Sequence, residues 1–384
     1  MFQFLSQPFA VRLVCTDDTG GKPSSAAHIV RSSCPSLYRK QGTHMLPTPY
    51  LFSGWLQTIF LAQCARKRDK LSDITYDREL LALPDGGQAS LDWYPQRPQC
   101  VSAKESAASP LDLAASAPVA IIIPGACGSS REYSMRCLAR ALCHRRRIRA
   151  VVLNHRGCSN TPVTTPRLHS ADFTADLHAA IAYIQQIAPN SAISAVGFSI
   201  GANILTKYAG EQSHACPLAA AVAISCPFDV PTAFKHASRP HPINSLVFQP
   251  AFCIAARSYA NKHRPAIQAG SANCDFVAIN RAKSMHELDA LLIAPVSGFS
   301  TCDEYYREAS SAKLVPKIAI PYLAISSSDD PLFPLKSIPI DDIRANPWTA
   351  LALVSHGGHL AFFTGLWPRF WYIDPVLEFL AATL

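Results

Sequence analysis

The sequence is short of charge and of every cysteine pattern that would define a metal or disulfide scaffold. Only 16% of its 384 residues are charged against 49% hydrophobic, which excludes a solvated, disordered chain and leaves enough apolar material for a large core. Its thirteen cysteines include no C-x-x-C pair and no zinc-finger spacing, so neither a metal site nor a cofactor is expected. The count is odd, and Cys137, Cys226 and Cys253 fall in elements expected to be buried. They therefore read as reduced thiols serving as small hydrophobes in a reducing, intracellular compartment. No apolar run approaches the roughly 18 to 20 residues that a membrane span requires. The opening MFQFLSQPFAVRLVC has no basic stretch ahead of its apolar residues and no clear cleavage site. It does not read as a secretory signal, while Arg12 and the lack of an acid before Asp17 leave mitochondrial targeting as a weakly supported alternative. Despite a net charge of +8, no long basic stripe with interleaved aromatics is present, and no nucleic-acid partner is expected. The cluster His144-Arg145-Arg146-Arg147-Ile148-Arg149 suits a helix C-terminus running into a strand. Peripheral contact with an anionic membrane or lipid surface is its alternative use.

What is present is a sustained alternation of buried strands and amphipathic helices. Residues 1–46 mix Ser, Thr, Gly and Pro without apolar period and are expected to be irregular or disordered. One domain then spans residues 47–384. Near its start Arg78 to Leu83 and Ala89 to Tyr94 flank Pro84-Asp85-Gly86-Gly87, a hairpin with its turn written out. Residues 97–118 read as a surface loop. Apolar runs follow at Val119 to Ile123, Ala150 to Asn154, Ile193 to Phe198, Ala219 to Ser225, Ile318 to Ser326 and Thr349 to Ser355. Helical period lies between them, as at Phe173, Leu177, Ile181 and Ile184, and a last helix is expected within Phe370 to Thr383. Such repeats build an α/β, doubly wound, mostly parallel sheet. The pattern breaks at residues 231–311, rich in helical pieces with Phe234, Phe248, Phe252 and Tyr259. These residues are expected to form an inserted helical cap, some of whose aromatics line a pocket of acyl size.

The chain is organised around Gly197-Phe198-Ser199-Ile200-Gly201. A strand leads into it and a helix leaves it, so the serine sits at the apex of a sharp strand-to-helix turn. A serine hydroxyl needs a base to take its proton and a third group to hold that base. Both follow after later strands, in Asp329-Asp330-Pro331 and in His356-Gly357-Gly358-His359. We expect Ser199 as nucleophile, Asp330 as acid and His359 as base. Asp329 is then assigned to local backbone amides, Asp229 is an alternative acid one strand earlier, and His356 is an alternative base at the strand end. An oxyanion needs two backbone donors, expected at Ile200 and at Ala126 in the loop Pro124-Gly125-Ala126-Cys127-Gly128. Asn154, Arg156 and Asp176 read as braces for neighbouring loops.

Several segments together resemble one branch of the α/β-hydrolases. They are Phe52-Ser53-Gly54-Trp55-Leu56-Gln57-Thr58, Asn154-His155-Arg156-Gly157-Cys158, Thr164-Thr165-Pro166-Arg167, Gly197 to Asn203, Pro227-Phe228-Asp229, Gly298-Phe299, Tyr305-Tyr306, Asp329-Asp330-Pro331 and Gly357 to Leu360. The branch holds α/β-hydrolase domain proteins one to three, their bacterial relatives and the yeast medium-chain fatty acid ethyl ester synthase/esterases. The resemblance runs from about residue 48 to the end. It implies the same triad, with esterase or lipase activity on acyl esters and, in some members, acyl transfer to an alcohol. Ile200, Ala361 and the pair His169-Ser170 depart from the pattern, and the extra methyl of Ala361 is expected to narrow the pocket. The membrane anchor of the mammalian members has no counterpart among these residues.

The expected function is hydrolysis of short- to medium-chain acyl esters or acylglycerols through an acyl-enzyme. The alternative is acyl transfer from the same triad to an alcohol acceptor. A third reading, from a different class, is a non-catalytic lipid-binding scaffold.

Overall fold

The computed structural model describes residues 9–16, 25–39, 43–63, 74–98, 113–270 and 274–384. The strands, in chain order, are β1 (Arg12–Val14), β2 (Asp77–Ala82), β3 (Gln88–Tyr94), β4 (Val119–Ile123), β5 (Arg149–Asn154), β6 (Ile193–Phe198), β7 (Ala220–Ile224), β8 (Tyr322–Ser327) and β9 (Thr349–Val354). They form one sheet in the order β1-β9-β8-β7-β6-β4-β5-β3-β2. Pairing from β5 through β9 is parallel, while β1, β2 and β3 join antiparallel at the edges. The six parallel strands are buried along their whole length. Their unbroken aliphatic runs follow from that, since a sheet covered on both faces has no side for a polar residue to reach water.

Helices α1 (Ala26–Ser33), α2 (Gly54–Gln63), α3 (Tyr133–Arg146), α4 (Ala175–Ile187), α5 (Ile200–Gln212) and α6 (Val230–Ala237) supply most of the cover, with a C-terminal helix at Ile373–Ala381. One face of the sheet packs on Leu177, Ile181 and Ile184 of α4 and on Ile204 and Leu205 of α5. The other packs on Leu138 and Leu142 of α3, Ile29 and Val30 of α1, and Val376 and Leu377 of the last helix. Between β7 and β8 a run of short helices, interrupted by π-turns at Asn244–Phe248 and Asp289–Ile293, crosses the C-terminal ends of the central strands. A separate small core around Cys253, Ile267, Phe276, Ile279 and Leu292 holds this segment together.

Two expectations are corrected. Residues 1–46, expected to be irregular, contain β1 and α1 in their described part. Ser25 caps α1 by accepting a hydrogen bond from the His28 amide, and Ala26, Ala27, Ile29 and Val30 are buried. Three residues of β1 are too few to show a period, and they become a strand only by pairing with Leu351 to Leu353 of β9. Strand β8 begins at Tyr322 instead of Ile318, because residues 312–317 form a 3-10 turn and Pro321 offers no amide to the ladder. Residues 99–112 of the expected surface loop, and residues 1–8, 17–24 and 40–42 of the N-terminal segment, lie outside the described residues.

The loop after β5 is braced by buried polar groups. The Arg156 guanidinium donates to both carboxylate oxygens of Asp176 at 2.7 Å and to Asp85 at 2.6 and 3.0 Å, tying the β2–β3 turn to the start of α4. Asn154 accepts from the Ser130 amide at 2.8 Å and donates to Asp92 at 2.9 Å. His155 stacks on His169 with 3.6 Å between ring centroids, and its Nε2 lies 3.3 Å from the carbonyl of Pro124 at the end of β4. Burial lowers the His155 imidazole to about 4 and places His169 well below its ordinary range.

Removing the Arg156 side chain strands the Asp176 carboxylate in a buried site, so Arg156→Ala is expected to lose about 3 kcal/mol of stability in urea unfolding. A loss below about 1 kcal/mol would mean that the pair contributes little. The two neutral imidazoles also set an acid dependence. An unfolded chain binds a proton on each near 6.5, whereas the folded His155 stays neutral down to about 4 and burial holds His169 neutral well below its ordinary range. Their contribution is complete above the unfolded value and is lost as pH falls through that window. Asp289, pushed up to about 7 by burial, binds a proton in the folded state over the same range and offsets one of the two. Stability is expected to fall as pH drops below the ordinary histidine range, and more steeply in Asp289→Asn, which lacks the opposing group. Urea titrations at a series of pH values measure it, and a flat profile would contradict the neutral pair.

Candidate active site

Strand β6 ends at Phe198, and Ser199 turns the chain at φ 53° and ψ −118° before α5 begins. Such a state is costly for a residue with a side chain and survives only where its surroundings enforce it. Here the packing is tight. A Cβ on Gly197 would lie 2.5 Å from the Gly201 carbonyl oxygen, and one on Gly201 would lie 2.3 and 2.4 Å from the carbonyl oxygens of Pro124 and Ile123. The first turn of α5 therefore rests directly on the end of β4 and the loop that follows it. The Ser199 amide donates to the Ile224 carbonyl at 2.9 Å, which ties the turn to β7 as well.

Three loops converge on this serine. His359, in the turn after β9, has Nε2 3.1 Å from Ser199 Oγ, and its Nδ1 lies 2.9 Å from Asp330 Oδ2 after β8. The remaining Asp330 oxygen accepts from the amides of Leu332 at 2.8 Å and Phe333 at 3.0 Å, which fixes the carboxylate's orientation. All three side chains are largely buried. The Phe333 ring meets the His359 imidazole edge-on at 4.7 Å.

The alternatives have other partners. Asp329 Oδ1 accepts from the amides of Gly357 at 2.9 Å and Gly358 at 3.0 Å and from the Ser327 hydroxyl at 2.6 Å, while Oδ2 lies 3.3 Å from His356 Nδ1. Asp229 caps α6 through the Thr232 amide. Asn154, Arg156 and Asp176 make the bracing contacts described above, with no hydrogen bond to the three converging residues.

Sequence reasoning missed the groups that grip the histidine loop from α2. The Thr58 hydroxyl accepts from the His359 amide at 2.8 Å and donates to the Gly54 carbonyl at 2.7 Å. The Gln57 side chain accepts from the Phe363 amide at 2.7 Å and donates to the His356 carbonyl at 3.3 Å. Ser225, at φ 50°, accepts from the Leu360 amide at 3.3 Å. The only sequence signal for Gln57 and Thr58 is their place in the Phe52 to Thr58 segment. A helix some 300 residues away has no local reason to touch this turn.

Ser199 and His359 open onto a cavity of about 750 Å³, lined also by Ala126, Ile200, Phe234, Phe252, Leu332 and Phe333. A second cavity of about 640 Å³ adjoins it, sharing Ala126, Ile200, Phe234 and Met285 and continuing along Tyr259, Leu292 and Tyr305. Of the four aromatics named in the inserted segment, some of them expected to line a pocket, Phe234, Phe252 and Tyr259 do so, and Phe248 is core beside Leu332. Asp289 is the one acidic residue on the second cavity's wall. Its Oδ2 accepts from the Tyr306 hydroxyl at 2.8 Å, and burial pushes the carboxyl up to about 7. Ala361, expected to narrow the pocket, is instead fully buried in the core and lines neither cavity. Among the described residues, no group of three or more His, Cys, Asp and Glu side chains could hold a metal ion.

Comparison with known proteins agrees with this architecture. A family model described as alpha/beta hydrolase fold matches residues 118–246. The human protein named phospholipase ABHD3 is 30% identical over 362 residues, covering 94% of this chain and 82% of that protein. The monoacylglycerol lipase of Saccharomyces cerevisiae is 29% identical, covering 86% of this chain and 78% of its own length. Medium-chain fatty acid ethyl ester synthase/esterase 2 of the same yeast is 28% identical, with 84% and 82% covered. Among solved structures, that of DcsB with a substrate analogue superposes with a TM-score of 0.50 at 12% identity over 81% of this chain and 100% of that one, a likeness of fold alone. Similarity to a relative over nearly the whole length, together with a strained serine at the end of the central strand, places this chain in the alpha/beta hydrolase family.

Proposed function

We propose that this protein is a serine esterase or lipase that hydrolyses short- to medium-chain acyl esters or acylglycerols through an acyl-enzyme on Ser199. The observation that carries the proposal is the continuous hydrogen-bonded path from Asp330 through His359 to Ser199, ending in an apolar cavity. His359 Nε2 takes the hydroxyl proton as Oγ attacks the ester carbonyl, and Asp330 holds the ring in the tautomer that leaves Nε2 free and stabilises the imidazolium. The backbone amides of Ile200 and Ala126 stand as donors to the oxyanion, the first at the N-terminus of α5. As the tetrahedral intermediate collapses, His359 returns the proton to the departing alcohol oxygen. Water then attacks the acyl carbon, losing a proton to the same nitrogen, which passes it to Ser199 Oγ as the acyl–Oγ bond breaks and the acid leaves.

The two cavities suit an ester divided at its carbonyl. The leaving oxygen has to lie within reach of His359, which lines the first cavity and not the second. The acyl chain then runs past Ala126 and Ile200 into the second, between Phe234, Tyr259 and Leu292. A second reading has specific support. A pocket on the His359 side that releases an alcohol also admits one, and a yeast relative is named an ethyl ester synthase/esterase. Acyl transfer to an alcohol uses the same intermediate, with the alcohol in place of water. A chain folded on this scaffold that only binds lipid would need no such path.

Ser199→Ala and His359→Ala are each expected to abolish turnover of p-nitrophenyl esters graded by acyl length, and Asp330→Asn to retain a trace, about 10⁴-fold down in kcat. Asp229→Asn is expected to stay active; the opposite pattern for the two aspartates would overturn the assignment of the acid. A fluorophosphonate probe should label the wild-type protein and not Ser199→Ala, and a folded protein that resists labelling would favour the binding scaffold. Adding ethanol and measuring ethyl ester against free acid separates transfer from hydrolysis. Thr58→Val removes the acceptor for the His359 amide and is expected to lower kcat about tenfold with KM unchanged, since it loosens the base and touches no substrate. A normal kcat would show that the turn keeps its place without that bond.

A further inference from the structure

The elements that hold the His359 loop also carry several of the most exposed apolar side chains among the described residues. Trp367 is 83% exposed, Leu366 73% and Phe52 64%, and Leu46, Tyr50 and Leu56 join them at lesser exposure. Folded proteins rarely leave so many large apolar side chains in water at one place unless something covers them.

These side chains are held together by the backbone beneath them. The two-residue strands Phe363–Thr364 and Arg369–Phe370 form a hairpin with Leu366 and Trp367 at its tip. The Tyr50 hydroxyl donates to the Leu366 carbonyl at 3.1 Å, the Thr48 hydroxyl to Gly365 at 2.8 Å, and the Thr364 hydroxyl to the Leu46 carbonyl at 2.7 Å. Leu51 is buried between the exposed Tyr50 and Phe52, and its amide donates to the Thr48 carbonyl at 2.7 Å, closing the turn that presents Tyr50. Leu56 follows on the outer surface of α2, whose Gln57 and Thr58 grip the loop of His359 on the inside. The patch therefore sits on α2 and on the hairpin whose first residue Gln57 holds, the two elements next to the His359 loop.

We propose that this patch, with Trp367 and Leu366 at its tip, is a docking surface for a phospholipid bilayer. The inference rests on the ester-hydrolase reading, because acyl esters of lipids reside in such surfaces. Its chemistry stands on the page independently. Trp and Tyr with neighbouring leucines match the boundary between headgroups and acyl chains, where an aromatic ring keeps its polar atom wet. Arg369 is exposed two residues beyond Trp367, and the chain carries a net charge of +8, both suited to anionic headgroups. Among the described residues no helix is long and apolar enough to cross a membrane. Contact through this patch would be peripheral and reversible, with the protein lying on the surface.

The test uses full-length Ser199→Ala protein, so that binding is read without turnover, and vesicles of phosphatidylcholine containing phosphatidylserine. The protein is expected to co-sediment with the vesicles. Adding Leu366→Ala and Trp367→Ala should lower the partition coefficient about tenfold for each side chain, with the melting temperature unchanged. In the otherwise wild-type background the same two changes should leave hydrolysis of a soluble p-nitrophenyl ester intact while slowing hydrolysis of the corresponding ester embedded in vesicles. Failure of the Ser199→Ala protein to bind vesicles would overturn the proposal, as would equal binding by the patch variant. So would a concentration-dependent dimer in sedimentation that the patch variant abolishes, since the face would then belong to a second copy. If vesicles bind through the patch but no ester is hydrolysed, the docking surface stands and the enzymatic reading falls.

Discussion

Ser199 is held at φ 53° and ψ −118°, a backbone state worth about 1–3 kcal/mol of strain for a residue with a side chain. Everything around the site can be traced to how that strain is contained. The end of β6 is locked between β4 and β7, and α5 begins so close to the end of β4 that neither Gly197 nor Gly201 has room for a methyl group. The hydroxyl is thereby set at the sheet edge, with the loop that follows β4 packed against it at Gly125.

The proposed base is held by a division of labour between neighbouring carboxylates. Asp330 faces the imidazole, and Asp329 faces the backbone of the turn that carries it. Helix α2 completes the clamp from outside, where Thr58 and Gln57 hold the amides of His359 and Phe363. The same helix and the hairpin beyond Phe363 present the exposed apolar patch, so the element that orients the proposed base also faces whatever the molecule rests on.

The helical segment between β7 and β8 gives the site its shape. Its aromatic and aliphatic side chains wall two adjoining cavities that meet at Ala126 and Ile200. Two buried polar groupings adjoin these walls: Asp289 is held by Tyr306 with its carboxyl pushed up to about 7, and His155, stacked on His169, braces the carbonyl of Pro124 next to the proposed oxyanion loop. In each, burial shifts the group toward its neutral form because a dry wall cannot support its charge.

Read alone, the residues of this chain determine the alternation of buried strands and amphipathic helices, the strand-to-helix turn around Ser199, and the presence of an acid and a histidine after two later strands. Those features are local: a period of two or of 3.6, a glycine where a side chain would clash, a proline after an aspartate. Tertiary structure alone decided that Asp330 and not Asp329 or Asp229 faces His359, that Thr58 and Gln57 reach across the chain to hold the histidine loop, and that residues 12–14 become an edge strand. It also decided which aromatics of the inserted segment line a cavity, and that Ala361 lines none. The physical reason is the same throughout. A carboxylate's orientation, a side-chain contact between segments hundreds of residues apart and the pairing of a three-residue strand depend on how separate elements pack, and no window of sequence contains both partners.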